Sequence, residues 1–229
     1  MQGKKKIYSP GQTYFVALRE RTYTTGFYDN ACCEFYLLRL LNGLNIYHVK
    51  LHAYLFKPKE IWLLATPGTP DGFDSLLRFL NQRYSSYFNT RFGRSVKVWS
   101  DSPITCLVSG GNLVLDCQKF IEREALREEY VSHPGEYLWS SYCDNSFSLS
   151  NRYLTPHRAY KKFLQGKPDC FEQYRKFIVT PYPQAYYLYL KSRLLSGTPL
   201  QKMRGNSPAR YNKAMPAAQN KSRFFLSRQ

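Results

Sequence analysis

Residues 46–67, IYHVKLHAYLFKPKEIWLLATP, restrict the fold more than any other stretch of the chain. Two apolar runs, 46–56 and 60–66, are separated by Lys57-Pro58-Lys59. Proline cannot donate to a sheet ladder, and lysine favours water, so the break reads as a turn between two strands. Strands joined by so short a link pair antiparallel. At period two, Glu60 and Trp62 face the same side of the return strand. A carboxylate beside an indole on an otherwise apolar strand is a question that the fold has to answer.

The surroundings of this hairpin supply its cover. YFVALRER (14–21) alternates apolar and polar residues and reads as a strand. Asn30 is placed to cap a helix through Asn42, with Phe35, Leu37, Leu38 and Leu41 as its stripe and Gly43 as its stop. Residues 73–93 read as a helix ended by Gly93, with Leu76, Leu77, Leu80, Tyr84, Tyr87 and Phe88 on its apolar side. Residues 96–108 read as strand material interrupted by Pro103, and 113–130 as a further helix. Three more helices are expected near 156–165, 169–178 and 183–196, the first introduced by Thr155-Pro156. The order predicts an α+β fold with a ferredoxin-like antiparallel sheet over residues 1–150, then a helical extension (151–197) and a basic tail (198–229).

Charge sharpens this division. The chain carries 33 Lys and Arg against 16 Asp and Glu, a net charge of +17. Residues 1–150 contribute +3 of it and residues 151–229 contribute +14. Such an excess implies a polyanionic partner, nucleic acid before an anionic membrane. No window approaches the ~18 apolar residues of a membrane span, and the basic start MQGKKK lacks the apolar segment of a signal peptide. The six cysteines form no CxxC or CxxH spacing, which argues against a zinc site and for reduced thiols in a cytoplasmic protein.

Several strings, in order over about residues 12–165, resemble the IS200-like single-tyrosine (HUH-fold) transposases, above all the branch associated with REP palindromes. They are GFYD (26–29), HAYLF-KP (52–58) followed by a strand and Thr66-Pro67, LNQRYSSYFNTRFGRS (80–95) with Trp99, KFIE (119–122), EYLWSSY (136–142) and LTPHRAY (154–160). The resemblance implies a His-x-His pair on the return strand of the hairpin, holding a divalent ion, and a nucleophilic tyrosine on the last core helix. Here those positions fall on Glu60, Trp62 and Phe120. Trp62 has no lone pair for a metal, and Phe120 has the ring without the hydroxyl. The family's Asn-Pro-x-Arg becomes Glu124-Ala125-Leu126-Arg127, in which the arginine alone remains. The departures gather at the chemical centre while the framework strings persist. The expectation is an inactivated nuclease core in a bacterial cytoplasm, nucleoid-associated or free, needing no metal and no cofactor. Tyr130, ten residues beyond Phe120 and about 15 Å along the helix, is too distant to replace it.

Candidate binding groups follow. Lys57 and Lys59 flank Pro58 as a phosphate clamp or a solvated turn. Arg78, Arg83, Arg91, Arg94 and Lys97, with Trp99, form a basic and aromatic stretch suited to phosphates and an unpaired base. Lys119, Arg123 and Arg127 recur every four residues on one helix face, beside glutamates that would pair with them. In the tail, Lys202, Arg204, Arg210, Lys213, Lys221 and Arg223 have no acid nearby, and Phe224-Phe225-Leu226 offers an anchor for a protein partner. Hairpin or single-stranded DNA is the favoured ligand, with structured RNA behind it. An adaptor role in a larger nucleoprotein complex, and an active transposase with displaced catalytic residues, are the alternatives.

Overall fold

The hairpin forms where its turn residues place it. In the computed structural model, which describes residues 7–21, 25–147 and 153–201, β2 (Val49–Lys57) and β3 (Glu60–Pro67) pair antiparallel, with Lys57 opposite Glu60 and Leu55 opposite Trp62. β1 (Thr13–Arg19) lies antiparallel against β3, setting Ala17 opposite Trp62, and β4 (Ile104–Val108) lies antiparallel against β1. The sheet order is β2-β3-β1-β4. With α1 (Asn30–Ile46) between β1 and β2, and α2 (Gly72–Phe92) between β3 and β4, this is the expected α+β, ferredoxin-like βαββαβ arrangement.

Strand alternation divides the core into two layers. Val16, Leu18, Ile61, Leu63 and Ala65 face α1 and α2, where Leu40, Leu44, Leu76, Leu80 and Phe88 meet them. Phe15, Ala17, Trp62 and Leu64 face the other way, onto α3 (Gly111–Arg127) and α7 (Gln184–Ser196). Each buried Val, Leu, Ile or Phe among them contributes about 1.5–3 kcal/mol. α4 (Tyr142–Phe147), α5 (Arg158–Leu164) and α6 (Cys170–Val179) build a third cluster around Tyr142, Tyr160, Tyr174 and Ile178.

Both sheet edges are occupied. Beside β2, the Phe56 amide donates to the Trp139 carbonyl (2.8 Å), the Ser141 amide to the Tyr54 carbonyl (3.0 Å) and the Thr155 amide to the Leu51 carbonyl (2.7 Å). Beside β4, the Leu200 amide donates to Leu107 (2.8 Å) and the Ser109 amide to Leu200 (2.9 Å). These strand edges are therefore not free to pair with another chain.

Several boundaries differ from the sequence expectation. Asp29, not Asn30, caps α1, its carboxylate accepting from the Cys32 amide. Gly43 does not stop that helix. It is buried where α1 meets α2, and a Cβ there would sit 2.5 Å from Leu76 Cδ1. β2 begins only at Val49, because His48 turns the chain in the left-handed region (φ 53°). His157, rather than Thr155, caps α5.

Gly26, in the GFYD turn, is fixed by contact. A Cβ on it would lie 2.1 Å from Trp99 Cη2, and Tyr84 Oη donates to its carbonyl at 2.6 Å. Phe27, Tyr36 and Tyr84 ring Trp99 at centroid distances of 4.9, 6.2 and 5.9 Å, so the indole has nowhere to go. Gly26→Ala is expected to cost about 3 kcal/mol in urea unfolding, the upper range for overpacking. A loss below about 1 kcal/mol would mean that the indole repacks freely.

Candidate functional site

β3 and α3 bring together the three positions that the sequence singled out. Trp62 and Phe120 are both buried and stack at 5.1 Å with ring planes 15° apart. Phe15 meets both edge-on, at 5.7 and 6.3 Å. Tyr187, carried in by α7, stacks on the opposite side of Phe120 at 5.5 Å. The space between sheet and helix is thus filled ring against ring. Tyr187 had no local signal, since it lies 67 positions beyond Phe120 and only the packing of α7 on α3 brings it here.

A charged rim closes this aromatic pile. Lys57 does not reach into solvent as a clamp would. Its side chain is 8% exposed, with Nζ 4.1 Å above the Trp62 ring, 3.1 Å from Glu60 Oε2 and 3.2 Å from Glu128 Oε1. Arg19 Nε donates to Glu60 Oε1 at 3.1 Å. Burial would raise the Glu128 carboxyl, but the Lys57 ammonium, together with hydrogen bonds to Tyr130 and Glu124, outweighs it and holds the group below the usual range. Glu124 is buried and its carboxyl is raised by desolvation, against the pull of Arg127, which forks onto it at 2.9 and 3.2 Å. Tyr187 Oη donates to the same carboxylate at 3.1 Å, and burial together with Glu124 pushes the phenol upward.

These donors do not fit a divalent ion. Trp62 offers no lone pair, and the one carboxylate on β3, Glu60, already faces an ammonium on one oxygen and a guanidinium on the other. No group of three or more His, Cys, Asp or Glu with metal-binding geometry occurs among the described residues.

The remaining cations of α3 are not a solvated face either. Lys119 is 4% exposed, lying over the rings of Phe177 (4.5 Å) and Tyr182 (4.3 Å), and burial pushes its pKa down to about 8. Arg123 Nε donates to the Val179 carbonyl at 3.3 Å. Arg127 lies over Tyr187 at 4.2 Å. The regular spacing of these three residues is read by α6, α7 and the link between them. Glu122, expected as an ion-pair partner, is fully buried without one. Its carboxylate accepts from Ser141 Oγ (2.8 Å), Asn145 Nδ2 (2.6 Å) and Tyr174 Oη (2.7 Å), and desolvation raises its pKa to about 7.

Histidines serve the framework. His52 is buried at a β-bulge, Nδ1 donating to the Thr155 carbonyl (2.6 Å) and Nε2 accepting from Thr66 Oγ1 (2.8 Å). Desolvation lowers its pKa to about 4. Its ring lies 5.0 Å from that of His157.

The other expected basic residues are more open. Lys59 is 71% exposed, 3.5 Å from Glu20. Arg78 pairs with Asp74 (2.8 Å), Lys97 with Asp101 (3.1 Å), and Arg91 with Asp29 (2.7 Å). Arg83 and Arg94 are exposed. Trp99, expected to stack on a base, is instead buried, 1% exposed, as the wedge described above. Lys202, Arg204, Arg210, Lys213, Lys221 and Arg223 lie outside the described residues. No helix among the described residues is long and apolar enough to cross a membrane.

Among solved structures, the chain is similar to a REP-associated tyrosine transposase bound to a REP hairpin, at a TM-score of 0.54 and 12% identity, over 69% of this chain and 93% of that one. It also matches the tRNA(His) guanylyltransferase of Saccharomyces cerevisiae at a TM-score of 0.41 and 11% identity, over 81% of this chain and 86% of that one. No family model matches, and no curated protein matches. At this identity the first likeness is one of fold.

Proposed function

We propose that this protein binds a DNA hairpin or single strand, with structured RNA as the second ligand, and does not cut it. One observation carries the reading. The positions where the resemblance implies metal donors and a nucleophile are packed against each other as Trp62 on Phe120, under a Lys57–Glu60–Glu128 seal. Phe120 has no hydroxyl to attack a phosphodiester, and Trp62 has no lone pair to hold a metal ion against it. The net charge of +17, and a fold shared with a protein solved on a hairpin, support nucleic acid as the ligand. Cytoplasmic residence belongs to the same proposal.

A second reading, cleavage by a displaced tyrosine, has one observation in its favour. Tyr187 Oη donates to the Glu124 carboxylate beside Phe120, a hydroxyl next to a base. Both groups are buried, and the phenol is harder to ionise than usual, so the non-cleaving reading is preferred. The test is incubation of the full chain with labelled hairpin and single-stranded DNA and Mg²⁺ or Mn²⁺, read on denaturing gels. Salt-sensitive retention with intact DNA is expected, because each phosphate contact releases counterions. A covalent adduct lost in Tyr187→Phe or Tyr130→Phe would overturn the proposal in favour of catalysis. Absence of binding at low salt would leave the adaptor role.

A further inference from the structure

The cations around the old site are spent on internal partners. Two on the opposite face, Arg39 and Arg83, are not. α1 and α2 lie side by side there, and a groove of about 540 Å³ runs between them. Its floor is the stacked pair Phe35 and Tyr87, 4.0 Å apart and 8° from parallel, both half-buried. Three guanidiniums lie on its rings: Arg39 over Phe35 at 4.9 Å, Arg83 over Phe79 at 5.7 Å and Arg91 over Tyr87 at 5.9 Å. Arg91 is tied to Asp29. Arg39 and Arg83 form no ion pair among the described residues, and Arg39 Nε is shielded from water with no hydrogen-bond partner.

We propose that this groove takes an unpaired segment of nucleic acid, its phosphates on Arg39 and Arg83 and a base against the exposed edge of the aromatic floor. The inference rests on the nucleic-acid reading above and moves the interface to the sheet face away from Trp62 and Phe120. A basic groove with aromatic rings and arginines over them is the combination that binds single strands, because phosphates need the charge and unpaired bases need the π-face. A duplex stem satisfies only the first requirement, since its bases are already stacked. Arg83 and Arg91 are eight residues apart on α2, about 12 Å by helical rise. That is most of the length of α2 along the groove, which runs from Phe79 to Arg91. The planar guanidinium matters as much as its charge, because its ring contact sets the direction of its donors.

The experiment measures anisotropy of the full chain on two hairpins of identical stem, one blunt and one with a single-stranded extension, across a salt series. The extended hairpin is expected to bind at least 10-fold more tightly. The double variant Arg39→Gln with Arg83→Gln is expected to remove that advantage and to reduce the log–log salt slope by about 1.4, two contacts at about 0.7 each. Its affinity for the blunt hairpin should change less than 2-fold. Arg39→Lys with Arg83→Lys, which keeps the charge, is expected to recover the salt slope but only part of the affinity. Lys176→Gln on α6 serves as the control and should bind as the parent chain does, and matched thermal midpoints verify folding. The same oligonucleotides made as RNA identify the sugar, and in either polymer the loss must follow Arg39 and Arg83. Equal losses on both hairpins would overturn the single-strand assignment, and no loss on either would overturn the groove. Failure of the parent chain to bind any of these probes would instead sink the nucleic-acid reading itself.

Discussion

Glu122→Ala is expected to be among the most destabilising single substitutions in the chain, by about 3–6 kcal/mol. The carboxylate is the common acceptor for Ser141 Oγ, Asn145 Nδ2 and Tyr174 Oη, and it joins α3 to α4 and α6. Removing it leaves three buried donors without an acceptor, at about 1–3 kcal/mol each. Whole domains are stable by only about 5–15 kcal/mol. Glu122→Gln keeps the volume and one acceptor, and its effect lies in pH dependence. Desolvation raises the folded pKa of Glu122 from 4.5 to about 7. Its contribution is therefore fully present below pH 4.5 and lost as pH rises through about 7. His52 behaves oppositely. Burial lowers its pKa from 6.5 to about 4, so its contribution is present above pH 6.5 and lost as pH falls through about 4. Each shift corresponds to roughly 3 kcal/mol. Between pH 4.5 and 6.5 the two slopes oppose each other, and urea unfolding of the parent chain should change little there. In Glu122→Gln the His52 slope stands alone, so stability should climb steadily with pH over the same interval. A parent profile that climbs as steeply as the variant's would show that Glu122 is not protonated in the fold.

The contrast between the two faces of the sheet explains what the sequence could and could not reveal. The hairpin, the α2 stripe and Gly93 were legible because their causes are local: a Pro-Lys turn, an i,i+4 period and a left-handed cap (φ 60°). Lys119 and Glu122 were misread because their partners, Phe177, Tyr182 and Tyr174, come from more than 50 positions away. Charges repeating every four residues look like a solvated face until another helix covers them. Lys57 deceived for a related reason. A lysine at a turn is normally wet, but here Trp62 presents a ring, and Glu60 and Glu128 present carboxylates, at the end of its reach. Trp99 was read as exposed because Gly26, which makes room for it, is 73 positions earlier. Arg39 was overlooked as a lone charge on α1, and only the neighbouring helix makes it one wall of a groove.

Trp62 carries the second large expectation. Trp62→Ala should cost about 3–5 kcal/mol by loss of a large buried ring and the cavity left behind, lowering the thermal midpoint by about 10 °C. It also removes the π-face under Lys57. A more telling variant restores imidazoles at both positions, Glu60→His with Trp62→His. Donor identity alone predicts that this pair binds Mn²⁺. The geometry here predicts that it does not. The Lys57 ammonium already occupies the space before the strand, held by Glu128 at 3.2 Å. A dication about 4 Å from that ammonium is opposed by about 8 kcal/mol at an effective dielectric near 20, an upper figure where water enters. Calorimetric titration of the double variant with Mn²⁺ should therefore be flat. Adding Lys57→Ala removes the resident cation and leaves Glu128 beside two imidazoles, and binding should then appear. Equal Mn²⁺ binding with and without Lys57 would mean that the ammonium leaves easily, and that loss of the donors alone, rather than an internal cation, keeps a metal from these positions.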